Sequence, residues 1–313
     1  MNDIRKIIAP KNAMLLFKWL FEGKLKPNSL WESKVFRLKF ALRAVFASPI
    51  TFRWLKHLAN YRLMGYFLFR QSNLPCKLLR PYLTSCMNQV SRYHALVYHY
   101  DFLSSLKDTF TQAFYNNKPY LLADLTVKNE HNIRVMIQAK NKYAREGELT
   151  IFIFDENNVD LATLTFTIIQ YEQKSTLFIS GLQGPDRDDA KTAIQQATKN
   201  CYGIFPKRLI IDAALSIAEF FNLEQILAVG KKSHVYNNWR YKKRFNRVHA
   251  DYDEFWQTID GQPNKQGLFI LPAKISRKNI EDVASKKRSM YRSRYSLLDE
   301  LNLSILKQLS CLN

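Results

Sequence analysis

Four cysteines are scattered along this 313-residue chain (Cys76, Cys86, Cys201, Cys311), and none belongs to a C-x-x-C pair. That spacing argues against a disulfide framework or a zinc knuckle and fits a reducing compartment. Long apolar runs are also missing. The most apolar stretch, Ala13–Phe21, is short and carries Lys18, far below the roughly 18–20 residues a membrane span requires. The N-terminal Met1-Asn-Asp-Ile-Arg-Lys-Ile-Ile8 lacks the apolar core of a signal peptide, so the chain reads as cytoplasmic. His94 and His99 stand five apart, which suits no metal pair on a helix face, and no metal site is expected. No helix-turn-helix, zinc or RNA-binding signature appears, leaving nucleic acid the weakest partner class despite the charge.

Acidic residues are scarce at both ends. Residues 1–100 carry 17 Lys and Arg against 3 Asp and Glu, and residues 230–313 carry 17 against 8. The middle, 101–229, carries 13 against 16. A near-neutral core flanked by basic ends implies outer elements that face something anionic: nucleic acid, an anionic lipid surface or a phosphate-bearing ligand. Hydrophobic residues make up 47% and charged residues 24%, the balance of an ordinary globular protein long enough to bury a sizeable core.

The pattern reads as α+β: an N-terminal helical region, then a mixed sheet built of an antiparallel meander and a parallel crossover pair. The expected divisions are a basic helical region over 1–107, a mixed α/β domain over 108–295 and a C-terminal helix over 296–313. Leu55, Leu58, Ala59, Leu63, Tyr66 and Phe67 recur at helical spacing, as do Cys86, Val90, Tyr93, Val97 and Tyr100. Basic residues interleaved with Trp19, Trp31 and Trp54 fit either a helix on an anionic membrane or a core with a solvated basic face. Short runs rich in Leu, Ile, Phe, Thr and Val follow at 120–127, 133–138, 149–154, 161–170 and 175–180. Leu164–Ile168 alternates with period two, as a strand with one buried face does.

The runs 176–180 and 225–229 are joined through two helical patterns, which predicts a parallel pair. The loops Gly181–Asp189 and Gly230–Tyr236 then leave on one edge, where ligands bind in open α/β sheets. Gly181, Gln183 and Gly184 on the first loop and His234 on the second are therefore candidate site residues. Asp188 and Asp189 can cap the following helix. Arg145-Glu-Gly-Glu148 places two carboxylates beside an arginine and could do acid–base work, although such clusters are more often exposed turns. Lys287, Arg288 and Arg292 recur on neighbouring faces of a C-terminal helix and could hold phosphate.

Several of these stretches carry a family likeness. They are Arg145-Glu-Gly-Glu-Leu149, Gly181-Leu-Gln-Gly184, Thr198-Lys199 with Gly203 and Pro206-Lys207, His234-Val235, Tyr252-Asp-Glu-Phe-Trp256, and Ser285-Lys-Lys-Arg288 through Arg294-Tyr295. In order and spacing, from about Arg80 to Leu301, they resemble the VirK/YbjX family of Gram-negative bacterial proteins. Phe205, where the family has arginine, and Asp260-Gly261, where it tends to have two glycines, depart from the pattern. The resemblance implies a virulence-associated or envelope-stress role linked to outer-membrane lipid remodelling and resistance to cationic antimicrobial peptides. It carries over no catalytic residue.

The layout is also similar to that of the GNAT acyltransferases, although their glycine-rich pyrophosphate loop is missing. On that likeness Glu148 or His234 is the general base, Arg288 and Arg292 hold phosphate, and an acyl-coenzyme A or acyl-carrier substrate is the donor. The alternative is a non-catalytic adaptor at the inner-membrane surface.

Overall fold

A computed structural model describes residues 10–241 and 252–313. The N-terminal octapeptide and residues 242–247 of the basic run after His234 lie outside the described residues.

The first hundred residues are helical, as their spacing requires. Helix α1 (Ala13–Glu22) starts where the Asn12 side chain accepts from the Leu15 amide and ends at Gly23, in the left-handed region at φ 76°. The Ser33 side chain caps α2 (Lys34–Phe46), and α3 (Ser48–Asn60) follows at once. The stripe Leu55–Phe67 is not one helix. It breaks at Tyr61, and α4 (Met64–Arg70) resumes it.

The second stripe lies on α5 (Gln89–Ser105) with its face rotated from expectation. Ala95, Leu96, His99, Tyr100 and Leu103 are buried, whereas Val90 is exposed. The helix turns His99 and Tyr100 inward because both bond to the sheet. Trp31 and Trp54 are fully buried, and their indole N–H groups donate to the carbonyls of Ser72 (2.9 Å) and Leu74 (3.0 Å). Those two rings belong to the core rather than to an outward-facing surface. A short α6 (Asp108–Phe114) leads into the sheet.

The sheet has eight strands in the order β1-β2-β3-β4-β5-β6-β8-β7. Strands β1 (Tyr120–Thr126), β2 (Asn132–Gln138), β3 (Leu149–Asp155), β4 (Asp160–Tyr171) and β5 (Lys174–Gln183) form the antiparallel meander. The tight β4–β5 turn places Glu172 and Gln173 at φ 49° and 64°, the left-handed pair that a two-residue hairpin demands. Helices α7 (Ala190–Asn200) and α8 (Pro206–Phe220) then cross to β6 (Gln225–Val229), which pairs parallel to β5 from Thr176↔Gln225 to Ile179↔Ala228. Pro206 sits at the start of α8, where its missing N–H costs nothing. Strands β7 (Gln262–Pro263) and β8 (Leu268–Leu271) complete the far edge.

Two sequence expectations are corrected here. Strand β4 is buried on both faces rather than one. Thr163, Thr165 and Thr167 are at most 3% exposed, because α5 packs on this strand as well as α7 and α8. The side chains of Asp188 and Asp189 do not cap α7; Asp189 instead pairs with Arg187. The last helix runs unbroken from Ser285 to Ser310 and packs on α8 and β1.

Candidate active site where two parallel strands part

The parallel pair is short. Opposite Thr165 and Phe166 the register slips by one residue, so Ser180 is an extra residue on β5, a β-bulge. Beyond Ile179, β5 continues to Gln183 without pairing to β6, which ends at Val229. The pair is parallel, as the crossover reading required, and its pairing ends at Ile179↔Ala228, so the two strands part at their carboxyl ends. Into the gap comes the short helix Tyr252–Gln257. The Tyr252 hydroxyl accepts from the Leu182 amide at 3.2 Å, and the Trp256 indole N–H donates to the Val229 carbonyl at 2.8 Å. One aromatic thus satisfies the free backbone of each parted strand.

Arg145-Glu-Gly-Glu148 is not an exposed turn. Glu146 is 1% and Glu148 0% exposed. The Glu146 amide turns back to the Tyr143 carbonyl (2.8 Å), and the Glu148 amide joins the Phe166 carbonyl (3.2 Å). Between them Gly147 lies so near β4 that a Cβ would sit 2.7 Å from the Phe166 carbonyl oxygen. Only glycine allows that approach, and the carboxylates on either side enter different surroundings.

Glu148 enters a closed polar network under the helical region. Lys77 and the phenol of Tyr82 (2.5 Å) both engage Oε1, and the Tyr100 phenol donates to Oε2. Gln71 donates to the Glu148 carbonyl at 3.1 Å. Burial alone would raise the carboxyl pKa, but the Lys77 ammonium and the added donors outweigh it, and the net shift is downward. His99 stands nearby, its Nδ1 accepting from the Ile168 amide at 3.2 Å. Burial pushes its pKa down to about 4, so the ring is neutral. With Nδ1 an acceptor, Nε2 carries the proton toward the Tyr115 hydroxyl at 3.4 Å.

Glu146 enters the gap. Its carboxyl accepts from the Gln183 amide nitrogen at 3.0 Å on each oxygen. Burial pushes the group up to about 8, against the opposing pull of the Gln183 donor and of Arg145 and Lys142. Gly181 makes the space: a Cβ there would lie 2.5 Å from Oε2 of Glu146. Gly181→Ala is therefore expected to displace the carboxyl and lower stability by about 1–3 kcal/mol, read as a fall in denaturation midpoint. Full stability in Gly181→Ala would show that the carboxyl can leave freely.

His234 lies across the gap, 1% exposed and stacked on Tyr252 with ring centroids 5.3 Å apart. Its Nδ1 accepts from the Tyr236 amide at 3.3 Å, while Nε2 is buried and has no hydrogen-bond partner among the described residues. Burial pushes the ring pKa down to about 4, so the neutral tautomer leaves Nε2–H as an unused donor. The segment 82–85 laces this corner together, with Leu83 N–H on the Arg145 carbonyl and Ser85 N–H on that of Ser233, both 2.9 Å.

Of the residues singled out in sequence, the structure brings Gly181, Gln183 and His234 to one rim, and Gly184 follows on the same loop. Glu148 sits in the closed network instead, and the carboxyl at the rim is Glu146, two residues earlier. Arg288 donates to the carbonyls of Val283 (3.0 Å) and Glu281 (2.9 Å), fastening the approach to its own helix. Lys287 and Arg292 are exposed on that helix. Sequence reasoning missed Tyr252, Lys77, Tyr82 and Tyr100. Tyr252 stood in a recognised motif, but nothing local said that its hydroxyl would meet β5.

Comparison with known proteins agrees with the likeness read from the motifs. Residues 29–307 match a family described as a protein of unknown function, DUF535. The chain is 36% identical over 291 residues to YbjX of Escherichia coli K12, covering 93% of this chain and 88% of that protein. A protein of Haemophilus influenzae is 36% identical over 160 residues, 51% of this chain and 52% of its own length. The chain therefore belongs to the DUF535 family, the VirK/YbjX group of bacterial proteins.

Proposed function

We propose that this chain is an acyltransferase working on an envelope component, with Glu146 as general base at the gap between β5 and β6. The observation that carries this reading is a buried carboxyl with a pKa of about 8, fixed by Gln183 on the strand that leaves its parallel partner. A base poised near neutrality is what proton abstraction needs. Tyr252 and Trp256 fill the gap, so in this reading the helix Tyr252–Gln257 gives way when substrate enters. The layout is similar to that of the GNAT acyltransferases, in which such parted strands admit an acyl thioester.

In this scheme the attacking amine or hydroxyl of the acceptor gives its proton to the Glu146 carboxylate. Its electron pair forms the new bond to the thioester carbonyl carbon, the carbon–sulfur bond breaks, and the departing thiolate takes up a proton. His234 Nε2–H, an unused donor at the same rim, suits the developing oxyanion. The Tyr252 hydroxyl holds the Leu182 amide that an amide carbonyl of the donor arm would use, so entry of the donor exchanges one acceptor for another. In this reading the activity lies on the cytoplasmic side, peripheral to the inner membrane, in support of envelope remodelling and resistance to cationic peptides.

The test is a panel of acyl-coenzymes followed by thermal shift and by release of free thiol. A saturable rise in melting temperature is expected, with thiol release that climbs with pH through about 8. Glu146→Gln should bind the donor without releasing thiol. A flat panel, or full turnover in Glu146→Gln, overturns the assignment.

A further inference from the structure

Among the described residues, helix α2 presents an unpartnered apolar stripe. Its buried side is formed by Phe40 and Ala44. On the opposite side Val35, Leu38, Leu42 and Val45 are 60%, 52%, 53% and 63% exposed, and Phe46 is 90% exposed. Their spacing of three, four and three residues lines them along one helix face. Lys34, Lys39 and Arg43 are exposed beside it, and the helix contains no acidic residue.

Below the Lys39–Arg43 flank lies a cleft of about 250 Å³, floored by Phe36, Phe40 and Leu79 and closed by Arg80. Cys76 and Arg80 are shared with a second cleft of about 240 Å³, where Lys77, Lys142 and Arg145 join the lining. Among the described residues, no carboxylate lines either one.

We propose that α2 and the two clefts joined at Arg80 form one docking surface for an anionic phospholipid bilayer. The stripe enters the acyl boundary, and Lys39, Arg43 and Arg80 take headgroup phosphates. Charge complementarity selects this occupant. An apolar face bordered on both sides by cations lies stably in an anionic interface, whereas a second copy of the same face would set its cations against each other. The surface stands apart from the gap between β5 and β6, and lipid capture holds whether or not Glu146 takes a proton.

Flotation of the full chain with phosphatidylglycerol vesicles and with phosphatidylcholine vesicles tests it. Strong recovery with the first, weak recovery with the second, and loss in high salt are expected. Leu38→Ser with Leu42→Ser should lower binding by on the order of tenfold or more. Arg43→Glu with Arg80→Ala should lower it by on the order of 25-fold or more, since each of the two cations removed contributes about a fivefold factor near the surface. The substituted leucines are exposed, so an unchanged melting temperature accompanies the loss; should that pair fail to fold, Phe46→Ser takes its place. Equal recovery with both vesicles, or full binding by the serine variants, overturns the proposal. It also falls if no chain floats and the stripe instead supports a concentration-dependent dimer that the serine variants abolish.

Discussion

Lys77→Met is expected to destabilise the protein by about 3–5 kcal/mol, the cost of leaving a buried carboxylate without its cation. Lys77 is 4% and Glu148 0% exposed, so solvent cannot replace the lost partner. The other donors to the carboxylate, Tyr82 and Tyr100, are neutral phenols. They can hydrogen-bond the charge but not balance it.

Glu148→Gln should be nearly as damaging, because it strands the ammonium instead. The double variant Lys77→Met with Glu148→Gln should recover part of the loss, since the amide oxygen still accepts from a phenol and no ion remains. Coupling of about 1–3 kcal/mol between the two sites is the expected result of that cycle, measured by urea unfolding. Strictly additive losses would show that the pair does not act as a unit. A single-variant loss below about 1 kcal/mol would place the network in contact with water.

The second large effect is a dependence of stability on pH that one residue controls. The folded Glu146 carboxyl titrates near 8 against a reference of 4.5, so between those values the folded protein binds more protons than the unfolded chain. Stability must therefore fall as pH rises through that window, by about 1.4 kcal/mol per unit. Over the full window this amounts to roughly 5 kcal/mol, and Glu146→Gln removes it. His234 and His99, with folded values of about 4 against 6.5, act in the opposite sense. Their contribution is complete above 6.5 and is lost as pH falls toward 4. Together the three groups place the stability maximum near the ordinary histidine range, with a decline on the alkaline side that belongs to Glu146 alone. Denaturation midpoints from pH 5 to 9 for the parent and Glu146→Gln would reveal it. Parallel curves would mean that the carboxyl is already ionised in the fold.

The backbone plan was legible because it depends on local chemistry. Alternating and continuous apolar runs set the strands of the meander to within a few residues, and 225–229 emerged with the same bounds. Pro206 at the start of α8 and the β4–β5 turn are ends that short-range sterics dictate. Parallel pairing followed from the length of the connection alone.

Side-chain roles were less legible. Glu146 and Glu148 differ by two positions and share a residue type, yet one is raised toward neutrality and the other held ionised. The difference arises from Lys77, more than seventy residues away in the chain, which pairs with Glu148, whereas burial dominates at Glu146. Arg288 looked available for phosphate, but carbonyls of the preceding loop engage it. The buried face of α5 was misread because its apolar and aromatic residues surround the helix, and only contact with β4 selects one side.

By itself the sequence determined that this is a basic α+β chain of its family with two parallel strands feeding one edge, since periodicity, turn residues and connection length act over short range. Only the tertiary structure decided which carboxyl reaches that edge, that Tyr252 and Trp256 fill the gap, and that α2 turns an apolar stripe to solvent. Burial and electrostatic neighbours are properties of folded space, and residues distant in the chain supply them.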